Sequence, residues 1–354
     1  MVKRFALKTA VLFLSLTFAL TLSEVFLRVC GFQPWSYRNT DTHEPTMHEP
    51  DGVLGWQNKM GSYTVPPYHP SGQPIHITFL ENGRRRTAVN SPANTAGELV
   101  LVGDSLTQGW AISDGETYAW KLQEQFPFFH VLNYGTGGYS SYQSLLMLER
   151  ELPRLASPRF VLYGFYESHE MRNAAPASWL AALSRYSRRG HIDVPVATFD
   201  AEKGLLRHPL ERYSSWPLRE SSALVTFVEK FYMDFKTRGR FLNKRLTTEQ
   251  LLLLMNRVSE KYNATFITVI LHANTEVKEH YVQFLSENHI QVIDCSYNFK
   301  TDEMRVPGEG HPNGKVHTLW AKCISDALTD QFENRRQANN DTHAAPLHVD
   351  SRER

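Results

Sequence analysis

The chain has 354 residues, room for one large core or two modest ones, and its 38 lysines and arginines nearly cancel 37 aspartates and glutamates. That balance gives no global field for nucleic acid or another polyanion as partner. With three cysteines, no Cys-x-x-Cys pair and no His-Glu-x-x-His helix, the sequence offers no zinc site, and neither a metal nor a cofactor is expected.

Lys3, Arg4 and Lys8 open the chain, followed by an apolar run from Thr9 to Leu22 and then Ser23, Glu24 and Val25-Phe26-Leu27. The uncharged core alone has the length of a signal-peptide h-region. Counted from Phe5 to Leu27, with Lys8 and Glu24 close enough to the ends to reach the interface, it approaches the ~20 residues that cross a bilayer. No Ala-x-Ala site follows, Thr21-Leu-Ser23 being a weak substitute, and Arg28 before Cys30 argues against lipidation. Residues 1–30 are therefore expected to form an uncleaved signal-anchor, in preference to a cleaved signal that would release a secreted protein. A buried amphipathic helix is the third reading. Either of the first two leaves the basic end inside and carries the rest of the chain across the inner or cell membrane, to the periplasm or the outside. Cys295 and Cys323 could pair in such an oxidising compartment, stabilising the fold by about 3–4 kcal/mol. Two unrelated buried thiols are the alternative.

Residues 31–96 are rich in proline and aromatic residues and have no helical period. They read as an irregular lead-in with short extended pieces at Asp51–Trp56 and Ile75–Phe79, packing on the main domain or spacing it from the membrane. From Gly97 strand-like runs alternate with helical ones. Strands are expected at Glu98–Val102, Phe129–Tyr134, Arg159–Phe165, Thr265–Leu271 and Gln291–Asp294. Helices are expected at Thr117–Phe126, Ser141–Leu155, Thr247–Tyr262, Val277–Asn288 and Gly314–Phe332. The alternation predicts a three-layer α/β/α, flavodoxin-like domain over 97–333, with about five parallel strands and functional residues at their carboxyl ends. An insertion at about 174–246, rich in Arg, Ser and Tyr, interrupts it, with Ser222–Phe235 as its one firm helix. The polar stretch 334–354 has no apolar stripe and reads as a disordered tail.

Ser105 in Gly103-Asp104-Ser105 stands where the first of these strands gives way to a helix, and Asp104 or Ser105 could simply cap that helix. A nucleophilic serine needs a base, an orienting acid and an oxyanion hole. His311, in Val306-Pro-Gly-Glu-Gly-His-Pro-Asn-Gly314, precedes the last helix and would project from the same rim of the sheet. Glu309 is close enough in sequence to steady its Nδ1, although Asp302 and Glu303 are also near. Asn133-Tyr-Gly-Thr-Gly-Gly138 follows the second strand, and its glycines let backbone N–H groups approach a substrate. After the third strand, His169, Glu170, Arg172 and Asn173 form a dense polar cluster.

These blocks resemble those of the SGNH, or GDSL, hydrolases. The resemblance implies Ser105 as nucleophile, His311 and Glu309 as base and acid, and the Ser105 and Gly138 N–H groups as oxyanion donors. Asp104, Asn133, Arg172 and Asn173 would support them. Two departures stand out. The third block usually reads Gly-x-Asn-Asp, and here His169-Glu170 holds the matching place, so His169 would donate to the oxyanion or Asn173 would reach in. The usual Asp-x-x-His is here Glu309-Gly-His311. The implied activity is hydrolysis of a small-molecule, glycan or lipid ester through an acyl-enzyme. It should fall below about pH 6.5, where an unperturbed histidine takes a proton. An O-acyltransferase of envelope polysaccharide is the alternative, for which Trp179, Arg185, Tyr186, Arg188 and Trp216 would face a glycan. A third reading is a non-catalytic binding module.

Overall fold

The computed structural model describes residues 2–35, 46–92, 95–186 and 191–343. The chain forms two compact units, whose boundaries are not those read from composition. One comprises Met1–Lys59, Gly138–Arg150 and Glu167–Val258; the other comprises Met60–Gly137, Glu151–Tyr166 and Ser259–Arg354.

In chain order the elements begin with helix α1 (Val2–Val29) and two antiparallel hairpins, β1 (His48–Asp51) with β2 (Gly55–Asn58) and β3 (Gly61–Val65) with β4 (Ile75–Phe79). The lead-in is therefore more regular than expected. Then come β5 (Glu98–Gly103), α2 (Ser105–Gln108), α3 (Tyr118–Gln125), β6 (His130–Asn133), α4 (Ser141–Glu151), β7 (Pro158–Tyr166) and α5 (Ser168–Asn173). The inserted stretch holds α6 (Ala177–Tyr186), strands β8 (His191–Val194), β9 (Ala197–Asp200), β10 (Gly204–Arg207) and β11 (Glu211–Ser214), and α7 (Ala223–Leu242). Its β8–β11 and β9–β10 pairs escaped the sequence reading because four-residue strands carry too few alternations to register, and α6 escaped it as well. The chain closes with α8 (Lys244–Lys261), β12 (Thr265–His272), α9 (Thr275–Glu287), β13 (Gln291–Asp294) and α10 (Gly314–His343).

The sheet unit is built on five parallel strands in the order β13-β12-β7-β5-β6, the flavodoxin-like order expected from the alternation. Alternate residues of each strand point to opposite faces. Leu99, Leu101, Leu162 and Val269 meet Leu122 of α3 and Trp320, Ile324 and Leu328 of α10 in one core. On the opposite face the Phe165 ring lies 4.7 Å from that of Tyr281 in α9. Caps fix where these helices start: Thr117 Oγ1 accepts from the Trp120 N–H, and Asn274 Oδ1 from the Val277 N–H. His317 in α10 is a core histidine. Its Nδ1 accepts from the Tyr118 N–H at 3.1 Å, and burial, with positive charges beyond, pulls its pKa down to about 3, so it stays neutral.

Helix α10 runs to His343, well past Phe332, where its apolar stripe ends. The added turns, among them Glu333, Arg335, Gln337 and Ala338, are rich in good helix formers, which favours the longer helix. The expected disordered tail is thus helical as far as His343, and its remainder lies outside the described residues. Cys295, at the end of β13, is bonded to Cys323 of α10 with Cα atoms 5.8 Å apart. Reduction, or Cys323→Ser, should lower the unfolding free energy by about 3–4 kcal/mol. Denaturant titration with and without reductant checks this, and an unchanged midpoint would exclude a stabilising cross-link.

In the other unit, α1 is the one helix among the described residues long and apolar enough to cross a membrane, from Lys3 to Val29. Phe5, Leu12, Phe18 and Leu22 are all exposed, so α1 is not a buried core helix. The β1–β2 hairpin closes on β8, where the Gly55 position lies against the Asp193 carbonyl. Tyr139 donates its hydroxyl to the Trp56 carbonyl at 2.6 Å, and Gln143 donates to the Leu54 carbonyl at 2.8 Å.

Candidate active site

The carboxyl end of β5 shows why its sequence is Gly-Asp-Ser. Gly103 pairs in register with Gly164 of β7. A Cβ on Gly103 would fall 2.3 Å from Thr107 Oγ1, and one on Gly164 would fall 2.2 Å from the same atom. Two side-chain-free strand ends therefore leave the space in which α2 sits. Gly103 also takes φ +156°. Asp104 is fully buried and caps α2, its carboxylate accepting from the Leu106 N–H at 3.0 Å. Capping thus belongs to Asp104, which leaves the Ser105 hydroxyl for other partners.

His311 reaches that hydroxyl across 206 residues of sequence, with Nε2 3.0 Å from Ser105 Oγ. Its Nδ1 lies 2.7 Å from Glu309 Oε1 and 2.9 Å from Oε2, and its backbone N–H donates to Oε2 at 2.7 Å. Of the three acids near in sequence, Glu309 is the one that meets the imidazole: Glu303 is exposed and pairs with Lys315, while Asp302 is exposed in a short 3₁₀ turn. The loop is held closed by its own backbone, with Val306 N–H bonded to the His311 carbonyl and Gly310 N–H to the Val306 carbonyl. Gly308, at φ +82°, lies where a Cβ would meet the Tyr68 carbonyl at 2.2 Å. The lead-in that showed no chemistry in sequence thus backs the histidine loop.

Two further contributors were missed. Trp110 donates its indole N–H to Glu309 Oε1 at 3.1 Å, the same oxygen that lies nearest the imidazole Nδ1, and so gives the carboxylate a second fixed partner. Burial pushes the Glu309 carboxyl up, but hydrogen bonds and charge from His311, with the Trp110 N–H, outweigh it and hold the group below the usual carboxylate range. Arg85 is buried and donates to Asp114 at 2.7 Å and to the carbonyls of Gln108, Gly109 and Ile112. Burial lowers its pKa and the carboxylate of Asp114 offsets part of that. It therefore clamps the turn that leaves α2. In sequence it is the middle of Arg84-Arg85-Arg86, and nothing local distinguishes it from its solvated neighbours. Asn133 completes the clamp, donating to the Thr107 carbonyl at 2.8 Å and accepting from the Gly135 N–H at 2.9 Å.

The remaining expected residues belong to the other unit. Gly138 takes φ +77° there. His169 is fully buried in the first turn of α5. The cluster around it is more structural than expected. Asn173 donates to Ser141 Oγ and Thr248 Oγ1, and its Oδ1 accepts from the Tyr142 N–H, so its amide is committed to packing and does not serve as an oxyanion donor. Glu170 pairs with Lys244 and Arg245, and Arg172 donates to the Tyr139 carbonyl at 2.9 Å, next to Gly138. Of the residues expected to face a glycan, Trp179 is buried beside Trp56, with ring centroids 6.3 Å apart, because α6 turns its apolar face inward. Trp216 is partly exposed against Tyr232. Arg188 and the side chains of Arg185 and Tyr186 lie outside the described residues.

Fold and site together define a parallel α/β protein with a serine, a histidine and a glutamate in hydrogen-bonded series at its strand ends. No protein-family model and no curated protein matches this chain. Among solved structures it is similar to a member of the lipolytic G-D-S-L family from Veillonella parvula, at 15% identity and TM-score 0.39, covering 66% of this chain and 98% of that one. It is also similar to a psychrotrophic esterase from a Pseudoalteromonas species, at 11% identity and TM-score 0.40, covering 67% of this chain and 99% of that one. A third is a catalytic mutant of an acetylxylan esterase from Geobacillus stearothermophilus, at 13% identity and TM-score 0.38, covering 66% and 94%.

Glu309→Gln keeps the shape of the contact but removes its charge and lets the imidazole settle in the wrong tautomer. It should cost up to about 10⁴-fold in kcat, and Trp110→Phe a much smaller factor. Steady-state kinetics on an activated ester checks both. Equal, small losses would assign the acid role elsewhere.

Proposed function

We propose that this protein is a membrane-anchored serine ester hydrolase whose reaction runs through an acyl-enzyme on Ser105. The observation that carries the reading is the continuous series from Ser105 Oγ to His311 Nε2 and from His311 Nδ1 to Glu309. Both contacts have the length at which a proton is shared. In the first half-reaction neutral His311 takes the hydroxyl proton while Oγ attacks the ester carbonyl. It then gives that proton to the leaving alcohol oxygen as the tetrahedral intermediate collapses. In the second half His311 takes a proton from water, hydroxide attacks the acyl carbon, and the carboxylic acid leaves as Ser105 regains its proton. Glu309 remains ionised throughout, orienting the ring and stabilising the imidazolium.

The Ser105 N–H, in the first turn of α2 where helix N–H groups have no intrahelical acceptor, is one oxyanion donor. Gly138 and His169 are assigned as the others on the sequence resemblance alone. Anchoring rests on α1, and an oxidising, extracytoplasmic setting is consistent with the Cys295–Cys323 bond.

Ser105→Ala should abolish labelling by a fluorophosphonate probe and lower turnover of p-nitrophenyl acetate by about 10³-fold or more. Full activity in that variant would end the acyl-enzyme reading, and failure of the unsubstituted protein to react with the probe would favour a binding module. Adding a sugar alcohol to the same assay separates the two enzyme classes, since a transferase diverts the acyl group from water to the sugar. His169→Ala should lower kcat by about 10²–10³-fold, and His169→Asn should restore most of it. A loss of thermal midpoint without that kinetic pattern would instead make His169 a packing residue.

A further inference from the structure

Helix α7 is built inside out. Its 20 residues start at a proper cap, Ser222 Oγ accepting from the Val225 N–H. The residues it buries are Ala223, Thr226, Glu229, Met233 and Thr237, a face that is mostly small or polar. Glu229 is satisfied there by the Tyr213 hydroxyl at 2.7 Å and by Arg219 at 3.2 Å. The opposite side carries Phe227, Phe231 and Phe235, spaced four residues apart, with Leu242 two turns further on. Phe231 is 68% exposed, Phe235 74% and Leu242 73%. A helix of a water-soluble domain turns its phenylalanines inward and its threonines and glutamate outward. Here the order is reversed, and a continuous aromatic stripe faces outward, the mark of an interaction surface.

Where α7 begins says what covers that stripe. Glu24, in the penultimate turn of α1, accepts from the Ser222 hydroxyl at 2.8 Å and from the Ala223 and Leu224 N–H groups at 2.9 and 2.8 Å. Arg28, one turn on, donates to the Ser221 carbonyl at 2.8 Å. The ring of Phe32, just past α1, meets that of Phe227 at 5.4 Å. Phe5 to Ser23, at 1.5 Å per residue, spans about 28 Å, close to the hydrocarbon thickness of a bilayer. Glu24 and Arg28 are thus the first charges after the apolar run, at the level where α1 leaves the lipid, and they hold the start of α7 at that level. Beside the stripe, Trp216 and Tyr232 form a partly exposed ring pair 5.8 Å apart, and Leu218 is exposed. Trp and Tyr rings collect at the same interfacial depth.

We propose that α7 lies in the outer interface of the bilayer that α1 crosses, with Phe227, Phe231, Phe235 and Leu242 sunk among the lipid chains. This rests on the reading of α1 as a membrane anchor. The apolar face of α7 then continues the apolar surface of α1 around a corner pinned by Glu24, and α7 is an amphipathic interfacial helix of the usual kind, with lipid as its apolar phase. The anchor becomes a two-point attachment that sets the orientation of its unit.

The test uses the full chain with Cys30→Ser, reconstituted in vesicles of phosphatidylcholine and phosphatidylglycerol. A nitroxide is attached in turn at Phe231→Cys, Phe235→Cys, Glu202→Cys and Leu14→Cys, and collision with oxygen is compared with collision with a water-soluble nickel chelate. Labels at 231 and 235 are expected to show a several-fold higher oxygen-to-nickel ratio than the label at 202. Equal ratios at 231, 235 and 202, with the label at 14 in hydrocarbon, would overturn the proposal and leave the anchor standing. A label at 14 that meets the nickel chelate freely would overturn the anchor itself. Spin–spin broadening at 231 that grows with protein density would mean that a second copy covers the stripe, which also overturns the proposal. Each label sits on an exposed side chain, and an unchanged thermal midpoint confirms that the variant is folded.

Discussion

Thr107 needs the space left by two missing side chains, and the geometry of the Ser105–His311–Glu309 series follows from that fit. Gly103 and Gly164 stand side by side at the ends of adjacent strands, and a Cβ on either would come within 2.3 Å of Thr107 Oγ1. With both absent, α2 seats directly on the sheet and the serine that opens it is carried to the strand ends at a fixed height. The contact is steric and therefore steep. It tolerates shifts of tenths of an ångström, which is the tolerance a 3.0 Å contact between Ser105 and His311 also requires.

Around that fit the sheet unit arranges concentric supports. Arg85 gathers the carbonyls of Gln108, Gly109 and Ile112, and Asn133 takes that of Thr107, so the turn leaving α2 is tied to groups from two other parts of the chain. Removing one partner of such a buried cluster costs more than the cluster contributes as a whole, because it strands a charge or a carbonyl in apolar surroundings. Trp110 follows the same turn and reaches Glu309. The loop that carries Ser105 and the Glu309 carboxylate are thereby coupled through an indole as well as through the imidazole.

The other unit obeys different priorities. Asn173, Glu170 and Arg172, so concentrated in sequence that they suggest a reaction centre, spend their hydrogen bonds on Ser141, Thr248, Lys244, Arg245 and the Tyr139 carbonyl. Polar density after a buried strand has two explanations, chemistry and the satisfaction of buried groups, and here the second accounts for three of the four residues. Helix α7 makes the complementary point. Its period is helical, but period alone does not say which face meets protein, and the protein side turns out to be the face with Thr226, Glu229 and Thr237.

By itself the sequence determined whatever depends on neighbours along the chain. The apolar first helix, the alternation of strands and helices, the five-strand order and the Gly-Asp-Ser turn all follow from local pattern and from connection rules. So does the closeness of Glu309 to His311, two residues apart. Only the tertiary structure decided the questions that depend on residues far apart in the chain. These are which of three nearby acids faces the imidazole, which of three consecutive arginines is buried, that Trp110 holds the acid, and that Cys295 finds Cys323. The physical reason is the same each time. A side chain's role is set by the groups that surround it, and Ser105 and His311 are 206 positions apart in a chain whose folding alone brings those groups together.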